Sequence, residues 1–460
     1  MSVKSSTQLV KVFDHISNNR EKFITRLMQY VSKPSISAEG IGIAETADFL
    51  VSSLGKLGFQ SRLLPSKGWP FVFAESKHIE AAPTILFYGH YDVQPADPVE
   101  AWISPPFEPE IRDGRIWGRG VGDNKGQHFA QMLALEAWQN TIGSLPCNVM
   151  MLLEGEEEVG SPNIAACVEE HKNLLGKADL VVTADGPVHS SGQSTIVFGP
   201  RGIVSFELHV KHGKRDFHSG NWGNVAPNPA WTLVQLLATM KNTHGTITIN
   251  GFYDGITSPS PAERTALDEL PLDLDLLMAE AGLSRLDEPQ DRPFSDRLSI
   301  WPTFTINGFH SGYGGPGSKT VLPCEAFVKC DMRLVDGQSC ADIFGKVEKH
   351  IAEHAPEVSL HRQGFMEPSK TPIESPYTAP LIEAFQLATG QSPLLQPALG
   401  GSLPDYVWTK ILQKPSFITP YANHDEANHA PNENMEIERF INGIRTGAAL
   451  LETLSRMNRD

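Results

Sequence analysis

His90 and Asp92 stand two residues apart in Tyr88-Gly89-His90-Tyr91-Asp92, and they open a series of positions able to do metal-ion hydrolysis. Asp123 follows in Gly122-Asp123-Asn124-Lys125-Gly126, Glu157 and Glu158 in Glu154-Gly155-Glu156-Glu157-Glu158, and Asp185 just after Leu180-Val181-Val182. His429 comes far downstream in Asn428-His429-Ala430-Pro431-Asn432-Glu433. Two divalent ions can share a bridging carboxylate, activate a water and polarise a carbonyl. His90 and His429 could take one ion each, while Asp123, Glu158 and Asp185 could bridge or cap. Nitrogen and oxygen donors without thiolate suit zinc first, with manganese or cobalt as alternatives. Asp92 lies on the same face of an extended chain as His90, so it is expected to accept the other ring N–H and fix its tautomer. Glu157 is then free to act as general base towards water and as general acid towards a leaving amine.

Taken singly these residues say little, because a Glu-Glu pair is ordinarily a solvated surface and a lone histidine ordinarily a core or surface residue. Their placement decides. Thr84–Tyr88, Val149–Leu153 and Leu180–Val182 are short unbroken apolar runs, the pattern of strands buried on both faces of a parallel sheet. His90, Glu157-Glu158 and Asp185 come just after them, and open α/β sheets bind ligands at the carboxyl ends of their strands. Charges at such places need partners.

The elements around them alternate strand, loop and helix up to Asp185, the signature of an α/β domain with a mostly parallel sheet and helices on both faces. Thr7–Val31 is expected as one amphipathic helix ended by Pro34, and Ala44–Leu57 as a second closed by Gly58. The helix after Asp123 carries Phe129, Met132, Leu133, Leu135, Ala137 and Trp138 on a broad apolar face. Ser161-Pro162 reads as an N-cap and first helical residue. Beyond Gly199-Pro200 the pattern changes. Val204, Phe206, Leu208 and Val210 alternate with polar residues, as do Ala326, Val328, Cys330, Met332 and Leu334, and a helix opens between them at Pro229. These are half-buried strands with one wet face. They predict an α+β domain inserted at 201–380, since His429 must return to the first domain, 1–200 and 381–460. Ser258–Pro261 and Glu288–Ser295 read as surface loops within the insert.

The 460 residues carry a net charge of −16, with 40% hydrophobic and 20% charged side chains. That charge argues against nucleic acid and anionic membrane as partners, and no apolar run approaches the length of about 18 residues that a membrane span needs. Cys147, Cys167, Cys324, Cys330 and Cys340 show no CxxC spacing, which points to a reducing, cytoplasmic compartment. No signal-peptide pattern precedes Phe23.

The motifs Tyr88-Gly89-His90-Tyr91-Asp92-Val93-Gln94-Pro95, Gly118-Arg119-Gly120-x-x-Asp123-Asn124-Lys125-Gly126, Glu154-Gly155-Glu156-Glu157-Glu158-Val159-Gly160-Ser161, Asp185 and His429-x-Pro431-Asn432-Glu433 together resemble the M20 family of di-metal peptidases. The resemblance implies a catalytic domain with an inserted lid. It implies that His90, Asp123 and Asp185 hold one ion and that Asp123, Glu158 and His429 hold the other. It also implies a cis Asp123–Asn124 peptide. Within the family the chain is most similar to the carnosinase-like dipeptidases. Asp216-Phe217-His218-Ser219-Gly220 resembles their lid motif, so His218 is expected to stabilise the oxyanion in the partner subunit of a homodimer joined through the lid. Arg333 in Met332-Arg333-Leu334, with the Gly400-Gly401-Ser402 loop, is similar to the family's anchor for a substrate carboxylate, a task suited to a guanidinium fork. No second lid histidine is identifiable, His361 being the only nearby one. The expectation is hydrolysis of dipeptides or short peptides. The rivals are an N-acyl or N-succinyl amino acid amidohydrolase, disfavoured by Asp rather than Glu at 185, and a non-catalytic metal-binding protein, disfavoured by the unliganded Glu157.

Overall fold

The computed structural model describes residues 5–287 and 291–457, in two compact units. The first comprises Met1–Gly199, Thr371–Pro397 and Val407–Asp460; the second comprises Pro200–Lys370 and Ala398–Tyr406.

The first unit is built on an eight-stranded sheet. From edge to edge its strands are Gln60–Leu64, Phe71–Glu75, Asn148–Glu154, Thr84–His90, Leu180–Thr183, Ser416–Ile418, Thr195–Val197 and Leu394–Gln396. The four strands from Asn148–Glu154 to Ser416–Ile418 run parallel; Gln60–Leu64, Phe71–Glu75 and Thr195–Val197 join by antiparallel pairings, and the edge strand Leu394–Gln396 pairs parallel to Thr195–Val197. Thr84–His90, Asn148–Glu154 and Leu180–Thr183 are buried along their whole length, as apolar runs covered on both faces must be. The helix Gly126–Ile142 is buried on all sides from Gly126 to Trp138, so its polar Gln127, His128 and Gln131 are interior too. It packs against the C-terminal helix Ile437–Ser455. Trp138 Nε1 donates to Ala448 O at 3.0 Å, and a Cβ on Gly447 would come within 3.0 Å of Ala134 Cβ.

Two local expectations are corrected. Thr7–Val31 is two helices, Thr7–Asn18 and Arg20–Val31, broken at Asn19. Asn19 N–H closes the last helical bond to His15 O, and its side-chain amide donates to the same carbonyl, a local bond of the kind that competes with helix continuation. Ser161-Pro162 does not open a helix. Gly160 and Ser161 both have positive φ, and the helix begins only at Ile164 after Asn163. Ser161 N–H bonds Glu156 O and Asn163 Nδ2 bonds the Glu156 carboxylate, so this segment folds back onto the Glu157–Val159 turn.

The second unit holds a four-stranded antiparallel sheet in the order Thr303–Ser311, Glu325–Leu334, Gly202–Lys211, Ser359–Met366. One face carries Val204, Phe206, Leu208, Val328 and Met332, packed with Leu236, Ile343 and Val347 from the helices Pro229–Met240 and Cys340–His354. The other face carries Glu207, His209, Lys329, Asp331 and Arg333, which accounts for the alternation in both central strands. Ser258–Pro261 is partly helical: Ser260 caps Pro261–Asp268 in a capping box with Glu263. Of Glu288–Ser295, residues 288–290 lie outside the described residues, and Phe294 begins a short helix to Ser299.

Candidate metal centre

Three fully buried strands deliver acidic and histidine side chains to one rim of the first sheet. Thr84–His90 ends on His90 itself. Asn148–Glu154 runs into the short 3-10 turn Glu157–Val159, and Leu180–Thr183 stops two residues short of Asp185. Asp123 comes from the tight turn Val121–Lys125, which follows Gly120 at φ 82° and leads into the buried helix. The Asp123–Asn124 peptide is cis. His429 sits in the left-handed region at φ 56° in the loop before Asn434–Glu436.

The ligand atoms of His90, Asp123 and Asp185 all lie within 4.8 Å of one another, and so do those of Asp123, Glu158 and His429. Asp123 belongs to both groups. Its Oδ1 is 3.0 Å from His90 Nε2, and its Oδ2 is 3.0 Å from His429 Nε2. Asp185 Oδ2 lies 3.8 Å from His90 Nε2, and Glu158 Oε2 lies 3.0 Å from His429 Nε2. One carboxylate thus presents one oxygen to each cluster.

The electrostatics fit cations between these groups. Asp185 is pushed up to about 7 by burial and by Asp123. Burial lifts Glu157 well above the usual carboxylate range, with Asp185, Asp123 and Glu158 adding to it, and lifts Glu158 as well. Asp123 is held low in spite of burial, by hydrogen bonds from His429 and His90. His429 is raised to about 10 by its bonds to Asp123 and Glu158. Glu426 is 1% exposed, and among the described residues neither of its carboxylate oxygens has a hydrogen-bond partner. Burial, then Asp123, pushes its proton affinity well up. Acids this crowded and buried carry more negative charge than the two histidines offset, and divalent ions are the charge that reverses such shifts. The all-nitrogen and oxygen donor set suits zinc, manganese or cobalt.

Asp92 does more than hold a histidine. The nearest acceptor to His90 Nδ1 is Asp92's backbone carbonyl, at 3.1 Å, with its carboxylate at 3.4 Å. The Asp92 carboxylate accepts the backbone N–H groups of Glu157 and Glu158 at 3.2 and 3.0 Å, which ties the Glu157–Val159 turn to the His90 strand. Gln94 Nε2 donates to Glu158 Oε2 at 3.0 Å.

Several contributors had a place in the sequence motifs but no legible role. Glu433 accepts from the backbone N–H of Gly120, Gly122 and Asp123 and from Arg119 Nη1, all at 2.8–3.0 Å, so it ties the Asp123 turn to the His429 loop. Asn124 Nδ2 donates to Asp185 Oδ1 at 3.0 Å. Glu426 had no signal beyond lying three residues before His429.

The remaining candidates lie in the second unit. His218 ends a two-residue strand paired to Val321–Leu322 and is exposed. Its Nδ1 accepts from Gly220 N–H at 3.1 Å, which places the proton of the neutral ring on Nε2, 3.3 Å from Thr320 Oγ1. Arg333 lies on the polar face of its strand and donates to Ser402 Oγ at 2.7 Å. Gly400 O accepts from Arg201 Nε and Nη2, so both arginines fasten the Gly400–Ser402 loop. A Cβ on Gly401 would meet only Leu399, at 3.8 Å, so packing does not require glycine there. His361 lies in the edge strand Ser359–Met366, against His209 and Ser359 Oγ.

A sequence profile of peptidase family M20/M25/M40 matches residues 86–453. The Beta-Ala-His dipeptidase of Rattus norvegicus is 28% identical over 490 residues, covering 100% of this chain and 98% of its own. The Cys-Gly metallodipeptidase dug1 of Schizosaccharomyces pombe is 27% identical over 476 residues, covering 98% of this chain and 99% of its own. The crystal structure of an M20 family metallo-carboxypeptidase from Sulfolobus solfataricus matches with a TM-score of 0.88 at 33% identity, over 95% of this chain and 99% of that one. With a profile match over most of its length and a solved relative at that identity, the chain belongs to peptidase family M20/M25/M40.

Proposed function

We propose that this protein is a metal-dependent dipeptidase using two divalent ions, zinc before manganese or cobalt, in the cytoplasm. The observation that carries the reading is the pair of three-residue donor groups sharing Asp123, with Glu157 beside them as a carboxylate outside both groups. His90, Asp123 and Asp185 would hold one ion, and Asp123, Glu158 and His429 the other. When bound, such ions polarise a carbonyl and ease the deprotonation of water.

The chain's own groups do the rest. Glu157 takes a proton from the attacking water and returns it to the leaving amine. A raised proton affinity favours the first step, taking the water's proton, and with divalent ions bound it falls again towards what the second step needs. Asp92 holds the Glu157 turn and His90 in register. His218, exchanging its long Nε2–H contact with Thr320 Oγ1 for the substrate, stabilises the oxyanion, a contribution of about 2.7–4 kcal/mol for one such donor. Arg333 and the Gly401-Ser402 loop anchor the substrate carboxylate. The second unit serves as lid and dimer interface. Trp231 and Val234 on the Pro229–Met240 helix, and Ile306 and Phe309 on the edge strand Thr303–Ser311, are exposed apolar side chains beside an unpaired strand edge. A second copy would cover both the apolar patch and the edge.

The names of the relatives favour dipeptides over N-acyl amino acids. The likeness to a metallo-carboxypeptidase supports a second reading, removal of the C-terminal residue from longer peptides. Amine release from a panel of dipeptides, N-acyl amino acids and tetrapeptides separates them. Preference for free-amine dipeptides is expected; cleavage of N-acyl amino acids alone would overturn the reading, and equal rates on tetrapeptides would move it to carboxypeptidase.

A further inference from the structure

Behind the donor groups runs a buried line of hydrogen bonds that starts at Tyr30, outside both groups. Tyr30 Oη lies 2.9 Å from His128 Nε2, and His128 Nδ1 lies 3.1 Å from Asn124 Oδ1. Asn124 Nδ2 donates to Asp185 Oδ1 at 3.0 Å and to Ala184 O. Tyr30, Asn124 and His128 are each fully buried.

Donor and acceptor chemistry fixes the direction of every link. The Asp185 carboxylate and the Ala184 carbonyl can only accept, so the Asn124 NH2 must face them. Turned over, the amide would set its oxygen against two acceptors, leaving Asp185 Oδ1 with only the Gly186 N–H at 2.7 Å and losing both Asn124 bonds in the interior, where an unmade bond is costly. Asn124 Oδ1 therefore faces the other way, towards the His90 N–H at 3.3 Å and His128 Nδ1. That oxygen can only accept, so His128 carries its proton on Nδ1. Nε2 of the neutral ring is then an acceptor, and the Tyr30 hydroxyl donates to it. Burial, reinforced by His90 and Lys125, lowers the proton affinity of His128 well below the ordinary value, in keeping with a neutral ring.

We infer that His128 is a positioning residue for Asp185. It holds the Asn124 amide in the orientation that, together with the Gly186 N–H at 2.7 Å, occupies Asp185 Oδ1, leaving Oδ2, the oxygen that faces His90, for the ion. His128 belongs to neither donor group and acts through Asn124, and the effect reaches one of the two groups, since only one contains Asp185. The inference rests on the two-ion reading of the site.

The test is cobalt(II) titration of the chelator-stripped chain, followed by visible absorption, in wild type, His128→Leu, His128→Asn and Tyr30→Phe. Wild type is expected to bind in two steps. His128→Leu should weaken one step about 10–100-fold, the usual effect of losing a partner behind a ligand, and change the absorption band of that step only. His128→Asn should recover most of the affinity, because its amide N–H can stand where Nδ1–H stood. An isotherm and spectrum like wild type in His128→Leu would overturn the inference, as would equal weakening of both steps without recovery in His128→Asn. If His128→Leu does not fold, Tyr30→Phe decides: a selective loss at the same step supports the relay, and an unchanged isotherm overturns it. Failure of the wild type to bind two ions would instead sink the two-ion reading, and the inference with it.

Discussion

Glu433 accepts the backbone N–H of Asp123 at 3.0 Å across 310 residues of chain. Its other oxygen pairs with Arg119 at 2.9 Å, with both side chains 1% exposed. Removing one member of such a pair leaves a buried charge uncompensated, typically at about 3–5 kcal/mol. Glu433→Ala should lower the unfolding free energy of the first unit by an amount in that range, read as a lower denaturant midpoint at unchanged slope. It should also loosen the Asp123 turn and so weaken binding of both ions. Unchanged unfolding and metal content would show that the clamp is incidental.

Glu157→Ala is expected to cut turnover by at least the roughly 10²–10⁴-fold that general acid–base catalysis supplies, with two ions still bound. Glu157 lies outside both donor groups, so metal analysis and kinetics separate the roles. Loss of an ion together with activity would make Glu157 a ligand instead of a base.

The shared carboxylate makes an asymmetric prediction. Asp123→Ala should abolish high-affinity binding of both ions, whereas Asp185→Ala and Glu158→Ala should each cost one. Metal content after gel filtration reads this directly. Retention of one tight ion in Asp123→Ala would argue against bridging.

His218→Ala and Glu157→Ala chains, each inactive alone, should regain activity when mixed if His218 serves the partner's site. Mixed dimers forming without recovery would restrict His218 to its own subunit or remove it from catalysis. A chain that stays monomeric at assay concentration would contradict the proposed interface around Trp231 and Phe309.

What could be read from the sequence follows from what is locally encoded. Ile85–Tyr88 and Val149–Leu153 announced buried strands because burial on both faces leaves no polar position in the run. The alternation from Val204 to Val210 announced a one-sided sheet for the converse reason. The residues that came together at the rim were legible because chemistry restricts which types can serve there. The break at Asn19 and the positive φ of Ser161 were not, since each depends on a competing hydrogen bond that apolar spacing does not encode. His128 was hidden differently. In an apolar stretch that also holds Phe129 and Met132, a single histidine reads as an exception, and its partners Tyr30 and Asn124 meet it only in the folded chain. Glu426 likewise stands out only in the folded chain, where its carboxylate is buried with no hydrogen-bond partner among the described residues.

The most direct test of the two-ion hydrolytic centre is turnover of a free-amine dipeptide by chelator-stripped protein as zinc or manganese is returned in measured equivalents. The account predicts no turnover without metal and a rise that reaches its plateau at two equivalents per chain. Full turnover in the stripped protein, or a plateau at one equivalent with the second ion bound and silent, would contradict it.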